Sequence, residues 1–138
     1  MDIQVGEALI AIMNIPAVNM ADETDLTELV AIIKDAQFLL GNDTSAVHIA
    51  TAVATPAFCL LGGGHYGRFM LYDIENKTKK PHPVAIIHQM DCFSCNWRCR
   101  YFVEDGKPCP CIEKISVEEV FAALKPLLKK RHQLGSVR

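Results

Sequence analysis

The sequence predicts an α/β domain in three layers, with a mostly parallel sheet covered by helices on both faces. Stretches in which apolar residues recur at helical spacing alternate along the chain with short, continuous apolar runs typical of buried strands. Hydrophobic residues make up 50% of the 138 residues, which is enough to fill one core. We therefore expect a single domain over residues 1–138, with a cysteine-rich segment at 89–113 inside it.

Three elements are predicted before the centre of the domain. A short apolar stretch predicts a helix over 6–13, and the apolar run after it predicts a strand over 15–20. An amphipathic helix is predicted over 26–36, because Asp25 can cap it while Glu28, at its third position, completes a capping box. The apolar positions of this helix are Leu26, Leu29, Val30 and Ile33.

The predicted centre is a strand, helix and strand in succession, which is a βαβ unit. Buried strands are predicted over 38–40 and 57–61. Between them, a polar turn over 41–45 opens an alanine-rich helix over about 45–54, which ends at Thr55-Pro56. The two strands of such a unit are normally parallel and joined by a right-handed crossover.

Later elements are predicted with less regular spacing. Residues 73–82 are polar and lysine-rich, which predicts a solvated loop, and 83–88 predicts one more strand. Ser116 and Glu119 form a capping box, so a helix is predicted from residue 117. Pro126 is expected to kink this helix or to end it.

The net charge and the absence of targeting signals in the sequence bear on which partners and which compartment to expect. The net charge of −2 and the pI near 6.2 give no electrostatic reason to expect a nucleic-acid partner. The sequence shows no basic leader followed by a long apolar stretch, and no apolar run approaches the roughly 18 residues of a membrane span. We therefore expect a cytoplasmic protein.

Two unusual loops follow the strands of the βαβ unit, at 42–45 and at 62–65. Ligands of parallel sheets bind at the carboxyl ends of the strands, so these loops are the candidate site. The free amides of a helix N-terminus bind phosphate, and Thr44 and Ser45 lie where those amides are expected. His48 follows one turn later. The alternative is that Asp43 only caps the helix and His48 is an ordinary helix residue.

The second loop begins with three consecutive glycines. Such a run lets a backbone approach a ligand closely, or merely forms a tight turn. Gly63 and Gly64 are therefore candidate ligand contacts, and His65, Tyr66 and Arg68 beside them could contact a sugar or phosphate, with a plain surface loop as the alternative. The spacing fits neither a P-loop nor a dinucleotide-binding fingerprint.

These residues carry a resemblance to a known family. The stretch Gly41-Asn42-Asp43-Thr44-Ser45-Ala46-Val47-His48-Ile49-Ala50, with Ala52, Pro56 and Gly62, resembles the donor-site signature of the heptosyltransferase-like glycosyltransferases, family nine. That family usually has Gly where Ser45 stands, and Gly-Pro-Thr where Gly62-Gly63-Gly64 stands. The resemblance extends to the cysteine-rich stretch and the closing helix, and so covers nearly the whole chain.

The resemblance implies a bacterial, inverting GT-B transferase with two Rossmann-like domains facing a cleft. The C-terminal domain would hold a nucleotide-diphosphate sugar, often ADP-heptose, and the N-terminal domain the lipopolysaccharide-core acceptor and the catalytic carboxylate base. The chain matches only the C-terminal part, so we expect it to bind the donor but not to transfer it alone. No cofactor is implied for transfer. The implied donor contacts are Asn42, Asp43, Thr44, Ser45 and His48, with Gly63, Gly64 and His65 beside them.

The acceptor implied by the resemblance is a glycan or a lipid-linked sugar. The basic tail over 125–138 is then either a solvated helix face or a contact with anionic headgroups at the inner face of the inner membrane.

Five of the six cysteines lie between Cys92 and Cys111. Their spacing is compatible with a thiolate-bound metal such as structural zinc, with free thiols, or with disulfides, and a reducing compartment disfavours the last. The family often has cysteines that match Cys92, Cys95, Cys99 and Cys111, so the resemblance implies these four as the ligands, with Cys109 to spare.

A zinc ribbon that binds nucleic acid or protein is the alternative function. Trp97 would then stack on a base, with Arg98 and Arg100 beside it. This alternative leaves the first 80 residues without a role.

Overall fold

A three-stranded parallel sheet is the centre of the fold. The computed structural model describes residues 2–70 and 82–134, with side chains over 3–70 and 82–128. The strands are β1 (Leu39–Asn42), β2 (Ala57–Leu60) and β3 (Val84–Ile86), in that order across the sheet. Both neighbouring pairs are parallel. The predicted α/β class and the parallel βαβ unit are confirmed.

Helices cover both faces of this sheet, as in a Rossmann-like domain. They are α1 (Asp2–Ile12), α2 (Leu26–Asp35), α3 (Ser45–Ala52), α4 (Pro110–Glu113) and α5 (Val117–Leu134). Helices α2 and α3 pack together on one face, and α5 packs against the opposite face beside β3. None of the helices in the described ranges combines the length and apolar character that a membrane crossing requires.

Alternate residues of β2 belong to different layers of the core. Cys59 is buried with Ile33 of α2 and Val47 of α3. Phe58 is buried instead with Leu124 of α5. Because side chains alternate between the two faces of a strand, one continuous apolar run supplies both layers.

Both predicted capping boxes are present. The amide of Glu28 donates to Asp25 Oδ1 at 2.8 Å, and the amide of Asp25 donates to Glu28 Oε2 at 2.9 Å. At α5, the amide and hydroxyl of Ser116 donate to Glu119 Oε2 at 2.7 and 2.8 Å. These two hydrogen bonds lower the pKa of Glu119 below its ordinary value. Short-range polar pairs thus fix where α2 and α5 begin.

The predicted strand over 15–20 is wrong, because these residues form no regular structure. Ile15 and Val18 are 66% and 80% exposed, so no neighbouring layer receives them. The segment is held to α1 instead, since Asn19 Nδ2 donates to the carbonyl of Ile3 at 3.0 Å. A side-chain hydrogen bond to α1 therefore takes the place of sheet pairing.

Of the two outcomes expected at Pro126, an end of α5 near Lys125 is wrong, because the helix continues through Pro126 to Leu134. Proline removes one helical hydrogen bond, and the carbonyl it leaves belongs to the exposed Ala122 and can bind water. Leu124 and Leu127 anchor the helix in the core on both sides of the proline.

Other boundaries differ by a few residues. Helix α1 begins earlier than the predicted 6–13, β1 extends two residues into the predicted turn, and β3 is shorter than the predicted 83–88. The predicted polar loop lies outside the described residues except for His82, and so do the side chains of most of the basic tail.

Candidate functional site

The candidate site lies at the carboxyl edge of the sheet, where the strands end. Asn42, the last residue of β1, is paired with Leu60, the last of β2, and Leu60 is paired with Ile86 of β3. The loops that follow β1 and β2 therefore leave the sheet side by side, as neighbouring strands lie roughly 5 Å apart.

The N-terminus of α3 opens at this edge. Thr44 is the N-cap, with extended backbone at φ −135° and ψ 172°, and no side chain caps the helix. The interpretation of Asp43 as the N-cap is therefore wrong. The amide of Val47 already donates to the carbonyl of Thr44 at 3.2 Å, and the amides before it lie at the positive end of the helix dipole, where a ligand or solvent can accept from them.

Asp43 faces His48 across the first turn of α3. The distance from Asp43 Oδ1 to His48 Nε2 is 3.9 Å, and the side chains are 20% and 39% exposed. Burial raises the pKa of the Cys59 thiol to about 12, and the charge of Asp43 adds to the increase. Asp43 thus lies close both to His48 and to the end of β2.

The glycine run is buried beneath the cysteine-rich segment. A Cβ at Gly63 would lie 2.5 Å from Phe93 Cδ1, and a Cβ at Gly64 would lie 2.3 Å from Trp97 Cδ2. The carbonyl of Gly63 accepts from the amide of Ser94 at 2.7 Å. Ligand contacts by Gly63 and Gly64 stay a prediction, but close packing within the chain already requires glycine at both positions.

The residues that bind the glycine run adopt a costly backbone. Ser94, Asn96 and Trp97 have φ values of 66°, 53° and 61°, in the left-handed region. The amide of Asn96 donates to the carbonyl of Gly64 at 2.9 Å, which helps to hold this turn. Sequence reasoning missed that the glycine run packs against the cysteine-rich segment. Two features could have indicated it: three glycines without the spacing of a known ligand loop, and two aromatic residues among the cysteines.

His65 lies at the centre of a polar and aromatic cluster. Trp97 Nε1 donates to His65 Nδ1 at 3.3 Å. Because indole nitrogen only donates, Nδ1 is the acceptor, and in the neutral ring Nε2 carries the hydrogen and donates to Asn96 Oδ1 at 2.9 Å. Arg68 Nη1 donates to the same oxygen at 3.0 Å. The His65 ring also meets Trp97 and Phe69 edge to face, at centroid distances of 5.7 and 5.2 Å.

The cysteines are all free, and four of them are neighbours. Burial raises the pKa of Cys109, and so do the nearby thiols of Cys99, Cys111 and Cys95. The amide of Gly63 donates to Cys111 Sγ at 3.4 Å, so the thiols lie against the glycine run.

Cys92, a predicted metal ligand, instead lies near Tyr101, whose hydroxyl donates to Asp91 Oδ1 at 3.1 Å. Within the described part of the chain, no three side chains of His, Cys, Asp or Glu are already arranged to hold a metal ion. Metal binding by Cys92, Cys95, Cys99 and Cys111 therefore stays a prediction. Trp97, which the alternative function assigned to base stacking, packs on Gly64 and His65.

Comparison with known proteins assigns the family. The family model for glycosyltransferase family 9 (heptosyltransferase) matches residues 4–83, more than half of the 138 residues. The match includes the βαβ unit and the glycine run and stops before the cysteine-rich segment. No curated protein and no solved structure matches the chain. The carboxyl edge and the family match agree, and the chain belongs to glycosyltransferase family 9.

Proposed function

We propose that this chain binds the nucleotide-diphosphate sugar donor of a glycosyl transfer, with the diphosphate at the N-terminus of α3. Members of glycosyltransferase family 9 transfer a sugar from such a donor to a glycan acceptor. The proposed sugar is a heptose or a related sugar, and the proposed acceptor is a lipopolysaccharide core or another glycan.

The observation that carries the proposal is the uncapped start of α3 at the carboxyl edge of β1. A helix N-terminus offers free amides and roughly half a unit of positive charge, which is what a phosphate requires. Thr44 and Ser45 supply amides and hydroxyl groups there, and Asn42 supplies a carboxamide at the end of β1.

His48 and Asp43 complete the proposed site as a pair. An aspartate alone would repel a phosphate, whereas Asp43 lies 3.9 Å from His48 Nε2 and is placed to orient the imidazole. In its protonated form the imidazole adds positive charge one turn into α3, which favours a phosphate at this helix N-terminus.

This arrangement suits the departure of a nucleoside diphosphate. During transfer, the bond from the anomeric carbon to the phosphate oxygen breaks, and the acceptor oxygen forms the new bond while its proton passes to a base. Negative charge grows on the departing diphosphate, and amides already aimed at it stabilise that charge. We place the base, a carboxylate, in the acceptor-binding half of an inverting, two-domain GT-B enzyme.

Calorimetric titration tests the proposal. The chain is titrated with ADP, UDP, GDP and CMP, and the titrations are repeated on Asp43→Ala and His48→Ala. We expect one diphosphate to bind saturably and each substitution to weaken it several-fold.

The matched controls are Asp35→Ala and His82→Ala, since both residues are exposed and precede a strand at the opposite edge of the sheet. Absence of binding by every nucleotide, or an equal loss in the control variants, would contradict the donor site.

A further inference from the structure

The group formed by His65, Arg68, Phe69, Asn96 and Trp97, here called the His65 cluster, is more exposed than a structural core requires. Phe69 and Trp97 are 54% and 51% exposed although both contact the His65 ring. Aromatic faces that stay open beside fixed hydrogen-bonding groups are typical of small-molecule sites.

The turn that carries the His65 cluster packs into the same core as α3. Met70 is 1% exposed and shares a core cluster with Val47, which follows Ser45 by two residues. Tyr66 packs against the same cluster. The turn over 65–70 is thus anchored in the core at both ends, and it follows the loop that leaves β2 at the same edge of the sheet as the start of α3.

The ring geometry of the His65 cluster indicates which part of a donor it fits. The His65 ring stands at 70° to Trp97 and at 76° to Phe69, so each of these two exposed rings forms a corner with the imidazole. A flat nucleobase stacks best on a parallel face. A sugar ring is puckered and carries hydroxyl groups around an apolar C–H face, and this shape fits a corner with polar groups at its edge.

Hydrogen-bond donors remain available in the His65 cluster. Asn96 Oδ1 accepts from both His65 and Arg68, so one carboxamide fixes the imidazole and the guanidinium together. A guanidinium has five N–H donors and a carboxamide has two, which leaves several to meet hydroxyl groups.

We propose that the His65 cluster binds the sugar ring of the nucleotide-diphosphate sugar, with Phe69 and Trp97 against its C–H face and Arg68 and Asn96 on its hydroxyl groups. This inference rests on the proposed donor site.

Fluorescence tests the inference directly, because Trp97 is the single tryptophan of the chain. Calorimetry first identifies the nucleoside diphosphate that binds. The same diphosphate and its sugar derivatives are then titrated while Trp97 emission is recorded, using ADP-heptose and ADP-glucose, UDP-glucose or GDP-mannose. We expect at least one nucleotide sugar to change the emission and the diphosphate alone to leave it nearly unchanged.

Variants separate the sugar from the rest of the donor. We expect Phe69→Ala and Arg68→Ala to weaken that nucleotide sugar several-fold and to leave the diphosphate unchanged. Phe102→Ala is the matched control, since Phe102 is 89% exposed and outside the His65 cluster. Circular dichroism checks that each variant is folded.

Three results would overturn the inference, and they are distinguishable. If the diphosphate binds but no sugar derivative changes the emission or the affinity, the sugar subsite is refuted and the donor site stands. If Phe69→Ala weakens the diphosphate and the nucleotide sugar equally, the cluster contacts the nucleoside instead. If no nucleotide binds at all, the proposed function fails first.

Discussion

Replacing Gly64 by alanine tests how tightly the cysteine-rich segment is held against the carboxyl edge. The new Cβ would lie 2.3 Å from Trp97 Cδ2 and 2.4 Å from Cε2, in the body of the indole ring. The ring cannot move aside freely, because its Nε1 donates to His65 and its backbone is in the left-handed region. Gly64→Ala therefore has to displace Trp97 together with part of its turn.

The expected cost is that of an overpacked core site. Forcing an extra methyl group into a filled space costs about 1–3 kcal/mol. For a chain of 138 residues, each kcal/mol lowers Tm by roughly 4 °C, so we expect a decrease of about 4–12 °C. Trp97 emission is expected to shift to longer wavelength as the indole moves into water.

Thermal and urea unfolding followed by circular dichroism measure this cost. Gly41→Ala is the control, because its Cβ would meet only Leu39 Cδ2, at the ordinary distance of 3.7 Å, and we expect a change within about 0.5 kcal/mol. The double variant Gly64→Ala/Trp97→Ala is expected to be about as stable as Trp97→Ala alone, since the clash is gone. Wild-type stability and emission in Gly64→Ala, or strictly additive effects in the double variant, would refute this reasoning.

Four further predictions follow from other parts of the structure. Thr55→Val should lower the free energy of unfolding by about 1–3 kcal/mol in urea titration, because the buried Thr55 hydroxyl donates to the carbonyl of Ile33 at 2.8 Å. Thr51→Val should cost less, because Thr51 is only half-buried, and equal losses in the two variants would contradict this. Asp25→Ala removes the α2 capping box and should cost about 1 kcal/mol in the same assay, and a neutral result would count against the cap. The thiol of Cys59 should resist iodoacetamide at pH 9 while the half-buried cysteines react, since its pKa of about 12 keeps it protonated, and rapid labelling of the native protein at Cys59 would refute this. The stability that the raised pKa gives the folded state is present below about pH 9 and is lost as the pH rises toward 12. The cysteine spacing predicts a metal site, so protein purified without chelator should contain about one zinc ion per chain by elemental analysis. The cysteine thiols would come together around the ion, and substoichiometric metal would refute the prediction.

Features set by neighbours in sequence were predictable. The capping boxes at Asp25 and Ser116 depend on residues three positions apart, and both are present. The βαβ unit was predictable because the strands, the polar turn and Pro56 follow one another within a short stretch. Parallel pairing then places the loops at 42–45 and 62–65 at one edge without further information.

Features set by distant contacts were not predictable. The strand expected over 15–20 fails because these residues pair with neither edge strand of the described sheet, and nothing in their own sequence records that. Pro126 stays inside α5 because residues on both sides of it pack in the core, against its own local preference. The glycine run looked like a ligand loop because the aromatic residues that cover it come about 30 positions later.

The glycine run and the cysteine-rich segment form one packed unit. The usual Gly-Pro-Thr of the family would place proline at 63 and threonine at 64, where a Cβ alone would lie 2.5 Å from Phe93 and 2.3 Å from Trp97. Proline would also remove the amide that donates to Cys111 Sγ. The two glycines therefore make room for a segment that lies outside the family match, and that segment brings Trp97 and Asn96 to His65. It follows that the part of the chain that departs from the family signature is also the part on which the proposed sugar subsite depends.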